Sequence, residues 1–237
     1  MLALVPTSLY GRLGAVLSAL IVIFSLIGLT IHKDFYAGKK RKGFFCFYTN
    51  LSNLLVLVYF SLVAPRLFSL SSLHALIPRM DFAVMMSIML TFCVFHGMIY
   101  PSVRIAAEHA PHTREYRIVV CDNFIIHYLV PWLVFLYWLL CSPGKAALRA
   151  ADALCWTAGP AVYLLVILLR ARKGAMIEET RSPYPYPFLD AEHFGAAFVA
   201  RSCALIYGVF VLAGFTLIAL IHLLVFWFGD GHMLMLI

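Results

Sequence analysis

A short polar stretch within apolar sequence, residues 44–53, contains the first side chains that could carry chemistry. It reads Phe-Phe-Cys-Phe-Tyr-Thr-Asn-Leu-Ser-Asn. The i, i+3, i+4 spacing of Thr49, Ser52 and Asn53 places them on one face of a helix, with Asn50 beside them. These side chains either bond across helices, as Ser, Thr and Asn commonly do in membranes, or form part of a site. A threonine hydroxyl in such a site is a potential nucleophile.

A second polar stretch, residues 122–131, contains a histidine. It reads Asp-Asn-Phe-Ile-Ile-His-Tyr-Leu-Val-Pro, so Asn123 and His127 share a helix face at i, i+4. Pro131 removes the hydrogen bond to the carbonyl of His127, and we expect the helix to bend there. A neutral histidine can take the proton of a threonine hydroxyl as that oxygen attacks an ester carbonyl. The alternative is a histidine held by packing alone.

The elements that must position these residues are six apolar stretches. Of the 237 residues, 63% are hydrophobic and 12% charged, and the mean hydropathy is +0.92, which is more apolar surface than a water-soluble core could bury. A helix needs about 20 apolar residues to cross the hydrocarbon. The stretches run over residues 9–31, 44–64, 80–100, 122–141, 153–169 and 195–228. The sequence therefore predicts an all-α fold, a single polytopic integral membrane bundle of six transmembrane helices over residues 1–237.

The six-helix arrangement brings the two polar stretches to one depth. Thr49 and His127 each lie five residues after the start of an apolar stretch, about 8 Å along a helix from the same end of the bundle. We expect the hydroxyl and the imidazole to meet. Asn53 or Asn123 is then the expected oxyanion donor or histidine orienter. His96, in the third stretch, reaches the same third of the membrane and is a rival base or a supporting residue.

Positive charge is distributed unevenly between the connections. The chain has 18 Lys and Arg against 11 Asp and Glu; the odd-numbered connections hold 12 of the basic residues and the opposite side holds 5. This predicts that the odd-numbered connections, including residues 39–42, are cytoplasmic and that both termini are outside. An excess this small, confined to loops, indicates contact with anionic lipids and excludes nucleic acid as a partner.

No metal or other cofactor is predicted. The 6 cysteines fall in or beside apolar runs without a C-x-x-C pair, so neither a thiolate metal site nor a disulfide framework is indicated. His109 and His112 form an H-x-x-H pair, but no third ligand is evident. No two of His96, His127 and His222 share a helix at ligating spacing, so a haem or quinone protein ranks last.

The connection between the fifth and sixth stretches alternates prolines with aromatic residues. Residues 182–190 read Ser-Pro-Tyr-Pro-Tyr-Pro-Phe-Leu-Asp. Proline removes backbone donors and excludes a regular helix. One interpretation is a rigid spacer whose aromatic rings lie at the headgroups. The other is a lid in which Tyr186 and Phe188 contact an acyl chain that enters from the membrane interface.

Three of these segments resemble the androgen-induced protein family. They are residues 45–50 (Phe-Cys-Phe-Tyr-Thr-Asn), the His127 that precedes Pro131 by four residues, and residues 186–190 (Tyr-Pro-Phe-Leu-Asp). Members of that family are six-helix membrane proteins that act as threonine hydrolases on fatty acid esters of hydroxy fatty acids. The chain is also similar to their bacterial six-helix relatives. The resemblance implies Thr49 as the nucleophile and His127 as its base.

Residues and resemblance together predict a lipid ester hydrolase in a bacterial cell membrane, which takes its lipid substrate from the bilayer and needs no cofactor. The alternative is a transporter or lipid-binding protein in which the polar cluster holds a ligand without catalysis. Against a transporter, the sequence has no inverted repeat and no helices broken by Gly or Pro in matching halves. The sequence predicts no oligomeric state.

Overall fold

The computed structural model describes residues 9–32, 43–63, 76–101, 113–178 and 180–233. This part of the chain is helical apart from turns and one isolated β-bridge between Ile177 and Ser182. The α-helices in chain order are α1 (Leu9–His32), α2 (Tyr48–Val58), α3 (Ile77–Val94), α4 (Arg114–Phe124), α5 (Val130–Cys141), α6 (Asp152–Cys155), α7 (Ala158–Arg172), α8 (Ala191–Phe194) and α9 (Ala196–Met233).

Three π-helical turns interrupt this pattern. Tyr59–Val63 extends α2, Phe95–Ile99 extends α3, and Ile125–Leu129 joins α4 to α5. The last of these has a cause in the sequence, because Pro131 has no N–H for the carbonyl of the preceding turn and its ring displaces that carbonyl. A π turn that contains His127 therefore precedes this proline, and the bend expected there stays a prediction.

Five of the described helices are long and apolar enough to cross a membrane by length and composition. They are Arg12–His32, Ile77–Ile99, Tyr116–Cys141, Asp152–Arg172 and Ala196–Trp227. The second predicted stretch is described as the 11 residues of α2 and the 5 residues of its π extension, and residues 64–75 lie outside the described residues. The all-α class is thus confirmed for the described residues, and the sixth span stays a prediction.

The fourth predicted stretch begins later than the helix that contains it. We expected a start at residue 122, but α4 begins at Arg114. Thr113 caps it, since its side-chain oxygen accepts a hydrogen bond from the backbone N–H of Tyr116 at 3.1 Å. The polar first turns therefore form a helical extension ahead of the apolar residues.

Two contacts between acidic and basic side chains mark the two ends of the bundle. At one end, Nδ1 of His32 lies 2.6 Å from Oδ2 of Asp122, which brings the end of α1 to α4. At the other end, Nε of Arg79 lies 3.1 Å from Oδ1 of Asp152, which brings the start of α3 to the start of α6. We call these the His32 end and the Asp152 end.

Helices α1, α2, α3 and α5 pack against one another, and α1 lies close to the π turn that contains His127. A Cβ at Gly28 of α1 would overlap the side chains of Ile125 and Ile126, so glycine permits this approach. The outward faces of α7 and α9 expose large apolar side chains, among them Val162, Leu205 and Phe226. Such a surface is found where lipid or another protein replaces water.

Candidate active site

A cavity of about 390 Å³ separates α7 and α9 from α2 and α3. Its walls are almost entirely aliphatic and aromatic. Thr49 and Phe188 lie at the His32 end of the cavity, and Trp156 and Phe210 lie toward the Asp152 end. A space of this shape suits an apolar chain, with its polar group near Thr49.

Thr49 lies in the first turn of α2 and is buried. Its Oγ1 lies 3.4 Å from Nε2 of His127, which is long for a hydrogen bond. Such contacts in free enzymes are often long and shorten when substrate binds. Its backbone N–H, one of the donors that the start of a helix leaves without an intrahelical partner, donates to the hydroxyl of Tyr186 at 3.3 Å. The predicted meeting of Thr49 with His127 is therefore what the structure contains.

The surroundings of His127 fix which of its nitrogens can accept a proton. Nδ1 lies 3.2 Å from the backbone carbonyl oxygen of Asn123, which can only accept, so Nδ1 carries the hydrogen in this contact. In the neutral ring Nε2 is then the bare nitrogen, and it is the one that faces Thr49. The ring also stacks on Phe95, with centroids 3.6 Å apart. Asn123 thus contacts the histidine through its backbone, not through its amide.

The two asparagines of α2 have other partners. Nδ2 of Asn53 donates to the carbonyl of Thr49 at 2.8 Å and to the carbonyl of Ile126 at 3.2 Å. Both amide hydrogens are therefore used, which leaves none for the oxyanion role expected from its position. Nδ2 of Asn50 donates to the carbonyl of Phe44 at 2.8 Å and holds the chain that leads into α2. These contacts join α2 to the π turn of His127 and fix the depth of Thr49.

Ser52 and His96 were also expected near Thr49 and His127. Oγ of Ser52 donates to the carbonyl of Thr49 at 3.0 Å and lies 2.7 Å from Oγ1 of Thr91, so it supports α2 from α3. His96 lies on the exposed side of its helix, where Nδ1 is 3.0 Å from the hydroxyl of Tyr128. It does not line the cavity. The geometry favours His127 over His96 as the base.

The proline-rich connection packs into the bundle at the His32 end. Tyr184 and Tyr186 are buried, which does not fit rings lying among headgroups. Tyr186 and Phe188 both line the cavity and stack on each other, with centroids 5.4 Å apart and ring planes 2° apart. Burial raises the pKa of Tyr186, so its phenol keeps its proton at neutral pH. The segment thus forms part of the cavity wall at the His32 end, and its function as a lid stays a prediction.

Sequence reasoning missed two contacts near the site. One is the contact of Oδ2 of Asp122 with Nδ1 of His32 at 2.6 Å. His32 follows the first apolar stretch and Asp122 begins the fourth, so the sequence already placed both residues at the same end of the bundle. That shared position could have predicted their contact. Tyr163 of α7 lines the cavity and donates its hydroxyl proton to the carbonyl of Cys46 at 2.7 Å. Nothing in the local sequence around Tyr163 indicated this contact.

Metal ligation finds no support in the part of the chain that the structure describes, where no three His, Cys, Asp or Glu side chains are grouped to hold an ion. His109 and His112 lie outside the described residues, as do the basic residues 39–42. The described site can instead perform proton transfer from a hydroxyl to an imidazole beside an apolar space. Comparison of the chain with protein-family models, curated proteins and solved structures finds no match.

Proposed function

We propose that this protein is a membrane hydrolase that cleaves esters of long-chain fatty acids, such as fatty acid esters of hydroxy fatty acids, with Thr49 as nucleophile and His127 as base. The observation that carries the proposal is the placement of Oγ1 of Thr49 3.4 Å from Nε2 of His127, at the wall of an apolar cavity. The resemblance to the androgen-induced protein family points to the same two residues.

The reaction proceeds in two halves. Oγ1 of Thr49 attacks the ester carbonyl carbon and its proton passes to Nε2 of His127. The ester C–O bond then breaks, and the departing alcohol takes that proton. Water attacks the acyl-threonine in the second half, gives its proton to Nε2, and releases the fatty acid as Oγ1 recovers the proton. The backbone carbonyl of Asn123 holds the His127 ring in the tautomer that these two reaction steps require.

The substrate enters from the bilayer in this proposal, and six helices cross a bacterial cell membrane with the His32 end in the cytoplasm. Support for insertion comes from the five described helices of spanning length and from their exposed apolar faces. Support for the orientation comes from the excess of Lys and Arg in the odd-numbered connections. An acyl chain gains about 0.8 kcal/mol for each CH₂ that leaves water, but little on leaving lipid, so shape and the polar end must select the substrate.

The alternative of a binding protein without catalysis places a lipid in the same cavity. A transporter of polar solutes fits less well, because the cavity wall is apolar. A covalent reaction at Thr49 is expected of the hydrolase and is not expected of a lipid-binding protein or a transporter.

The experiment is labelling of the purified protein with a long-chain fluorophosphonate, followed by intact mass and peptide mapping. We expect one adduct, on Thr49, absent from Thr49→Ala and strongly reduced in His127→Ala. Thr157→Ala is the matched control, because Thr157 is another buried threonine in the wall of the same cavity. Labelling of folded Thr49→Ala at the wild-type level would contradict the proposal, and an unreactive wild-type protein would favour lipid binding.

A further inference from the structure

The hydroxyl of Tyr186 lies against the threonine that the proposed function uses. It accepts the backbone N–H of Thr49 at 3.3 Å and lies in the wall of the cavity beside that threonine. The N–H belongs to the first turn of α2, where the helix dipole is positive. A phenol oxygen that accepts such a donor becomes a better donor itself, because consecutive hydrogen bonds polarise one another.

We propose that Tyr186 is a catalytic residue that donates its phenolic proton in a hydrogen bond to the oxyanion formed when Thr49 attacks an ester carbonyl. This inference rests on the proposed function and adds to it the group that stabilises the developing charge. Stabilisation of that charge by fixed donors is usually the largest single contribution to acyl-transfer catalysis.

The other donors near Thr49 are already engaged. Both amide hydrogens of Asn53 bind backbone carbonyls, and the Ser52 hydroxyl donates to the carbonyl of Thr49. The Tyr163 proton goes to a backbone carbonyl that can only accept. Tyr186 differs, because its hydroxyl accepts the backbone N–H of Thr49, and no hydrogen bond described for it commits its own proton to a backbone carbonyl.

The segment around Tyr186 is built to hold the ring still. Pro185 and Pro187 flank it and restrict the backbone, and a 3₁₀ turn over Pro187–Leu189 follows. The ring stacks on Phe188 and meets Phe47 edge to face at 6.0 Å. Fixed donors of this kind need no reorganisation as charge develops, which is the condition for a large effect on rate.

The step balances without a further reactant. Oγ1 of Thr49 forms a bond to the carbonyl carbon, the C=O electron pair moves to oxygen, and the Oγ1 proton moves to Nε2 of His127. The Tyr186 proton stays on its own oxygen and turns toward the new oxyanion. When the ester C–O bond breaks and the carbonyl re-forms, the charge on that oxygen is lost and the Tyr186 hydroxyl is free to turn away.

The test compares Tyr186→Phe with Tyr184→Phe, since Tyr184 is another buried tyrosine of the same segment that does not line the cavity. We expect Tyr186→Phe to lower kcat for a long-chain ester about 100-fold with KM changed less than about twofold, and Tyr184→Phe to leave both near wild type. A long-chain trifluoromethyl ketone, which forms an oxyanion on reaction with Thr49, should bind Tyr186→Phe about 100-fold more weakly. The corresponding trifluoromethyl carbinol forms no oxyanion, so it should bind Tyr186→Phe as tightly as it binds the wild type.

Equal weakening of ketone and carbinol would show a structural role and overturn the assignment, as would wild-type turnover by Tyr186→Phe. Fluorotyrosines at position 186 keep the ring's shape and give the same answer if the phenylalanine variant fails to fold, because kcat should vary with phenol acidity. A wild-type protein that does not react with the ketone overturns the proposed function and this inference together. Wild-type reaction with an unchanged Tyr186→Phe overturns Tyr186 alone.

Discussion

Two buried polar clusters lie at opposite ends of the same helices, and only one of them borders the cavity. At the Asp152 end, Asp81 accepts hydrogen bonds from the hydroxyl of Tyr59 at 2.5 Å and from Oγ of Ser142 at 2.6 Å. At the His32 end, Thr49 lies 3.4 Å from His127. Both clusters consist of buried polar side chains within or at the end of apolar helices.

The two clusters differ in the lengths of their hydrogen bonds and in whether their residues line the cavity. Both oxygens of Asp81 are bonded at short distance, and neither Asp81 nor its two partners line the cavity. Thr49 has only a long contact with His127 and lines the cavity. A buried polar group with short bonds to fixed partners holds helices together, whereas a group with a loose contact beside a cavity can act on something that enters.

The largest expected effect is on turnover at the Thr49 cluster. Thr49→Ala and His127→Ala should each lower kcat/KM for long-chain esters by about 10³-fold or more, and the double variant should be little worse than either single one, because the two act as a unit. Thr49→Ser, which keeps a hydroxyl, should retain part of the activity. The measurement is hydrolysis of fluorogenic esters in nanodiscs, normalised to folded protein from size exclusion.

His96→Ala is the control for this prediction, since His96 is a histidine of the same region on the exposed side of its helix. It should keep more activity than His127→Ala. Additive losses in the double variant would contradict a shared mechanism and separate the roles of Thr49 and His127.

Much of this arrangement was predictable, and the remainder depends on long-range contacts. The apolar stretches and their alternating direction led to the all-α class and to the meeting of Thr49 with His127. Sequence could not show that Asn53 uses both amide hydrogens, because one of its partners is a carbonyl in another helix. It also did not indicate the hydrogen bonds of Asp81 or the contact between Tyr186 and Thr49, since both depend on side-chain packing between segments far apart in sequence.

The second effect is on stability at the Asp81 cluster. Asp81→Ala should lower the free energy of unfolding by about 3–5 kcal/mol, because it leaves the Tyr59 and Ser142 hydroxyls without their acceptor and removes the negative charge near Lys145. Turnover per folded molecule should stay near wild type. Unfolding in mixed detergent micelles, followed by tryptophan fluorescence, gives the first quantity. Loss of turnover in folded Asp81→Ala would remove the distinction drawn between the clusters, and Asp81→Asn, which keeps an acceptor, should be milder.

The smallest effect is a dependence of stability on pH that comes from Lys145, beside the same cluster. Its side chain is buried, and Nζ donates to the carbonyls of Trp138 and Leu139 at 3.0 and 2.9 Å, where α5 ends. Burial lowers the pKa of Lys145 to about 8, although Cys141 and Asp81 nearby act in the opposite direction. In the unfolded chain a lysine titrates near 10.4, so above pH 8 the unfolded state holds more protons than the folded state.

Stability should therefore rise as pH increases from about 8 toward 10, by at most about 1.4 kcal/mol per pH unit. A neutral amine still has two N–H groups for its two carbonyl partners, so deprotonation breaks neither bond. Apparent unfolding temperatures at pH 7.5, 8.5 and 9.5 measure the slope, and Lys145→Met should be flat over this range. The same slope in Lys145→Met would assign the titration to another group. Because Asp81 raises the pKa of Lys145, Asp81→Asn should shift the rise to lower pH, which would link the two residues in one structural cluster.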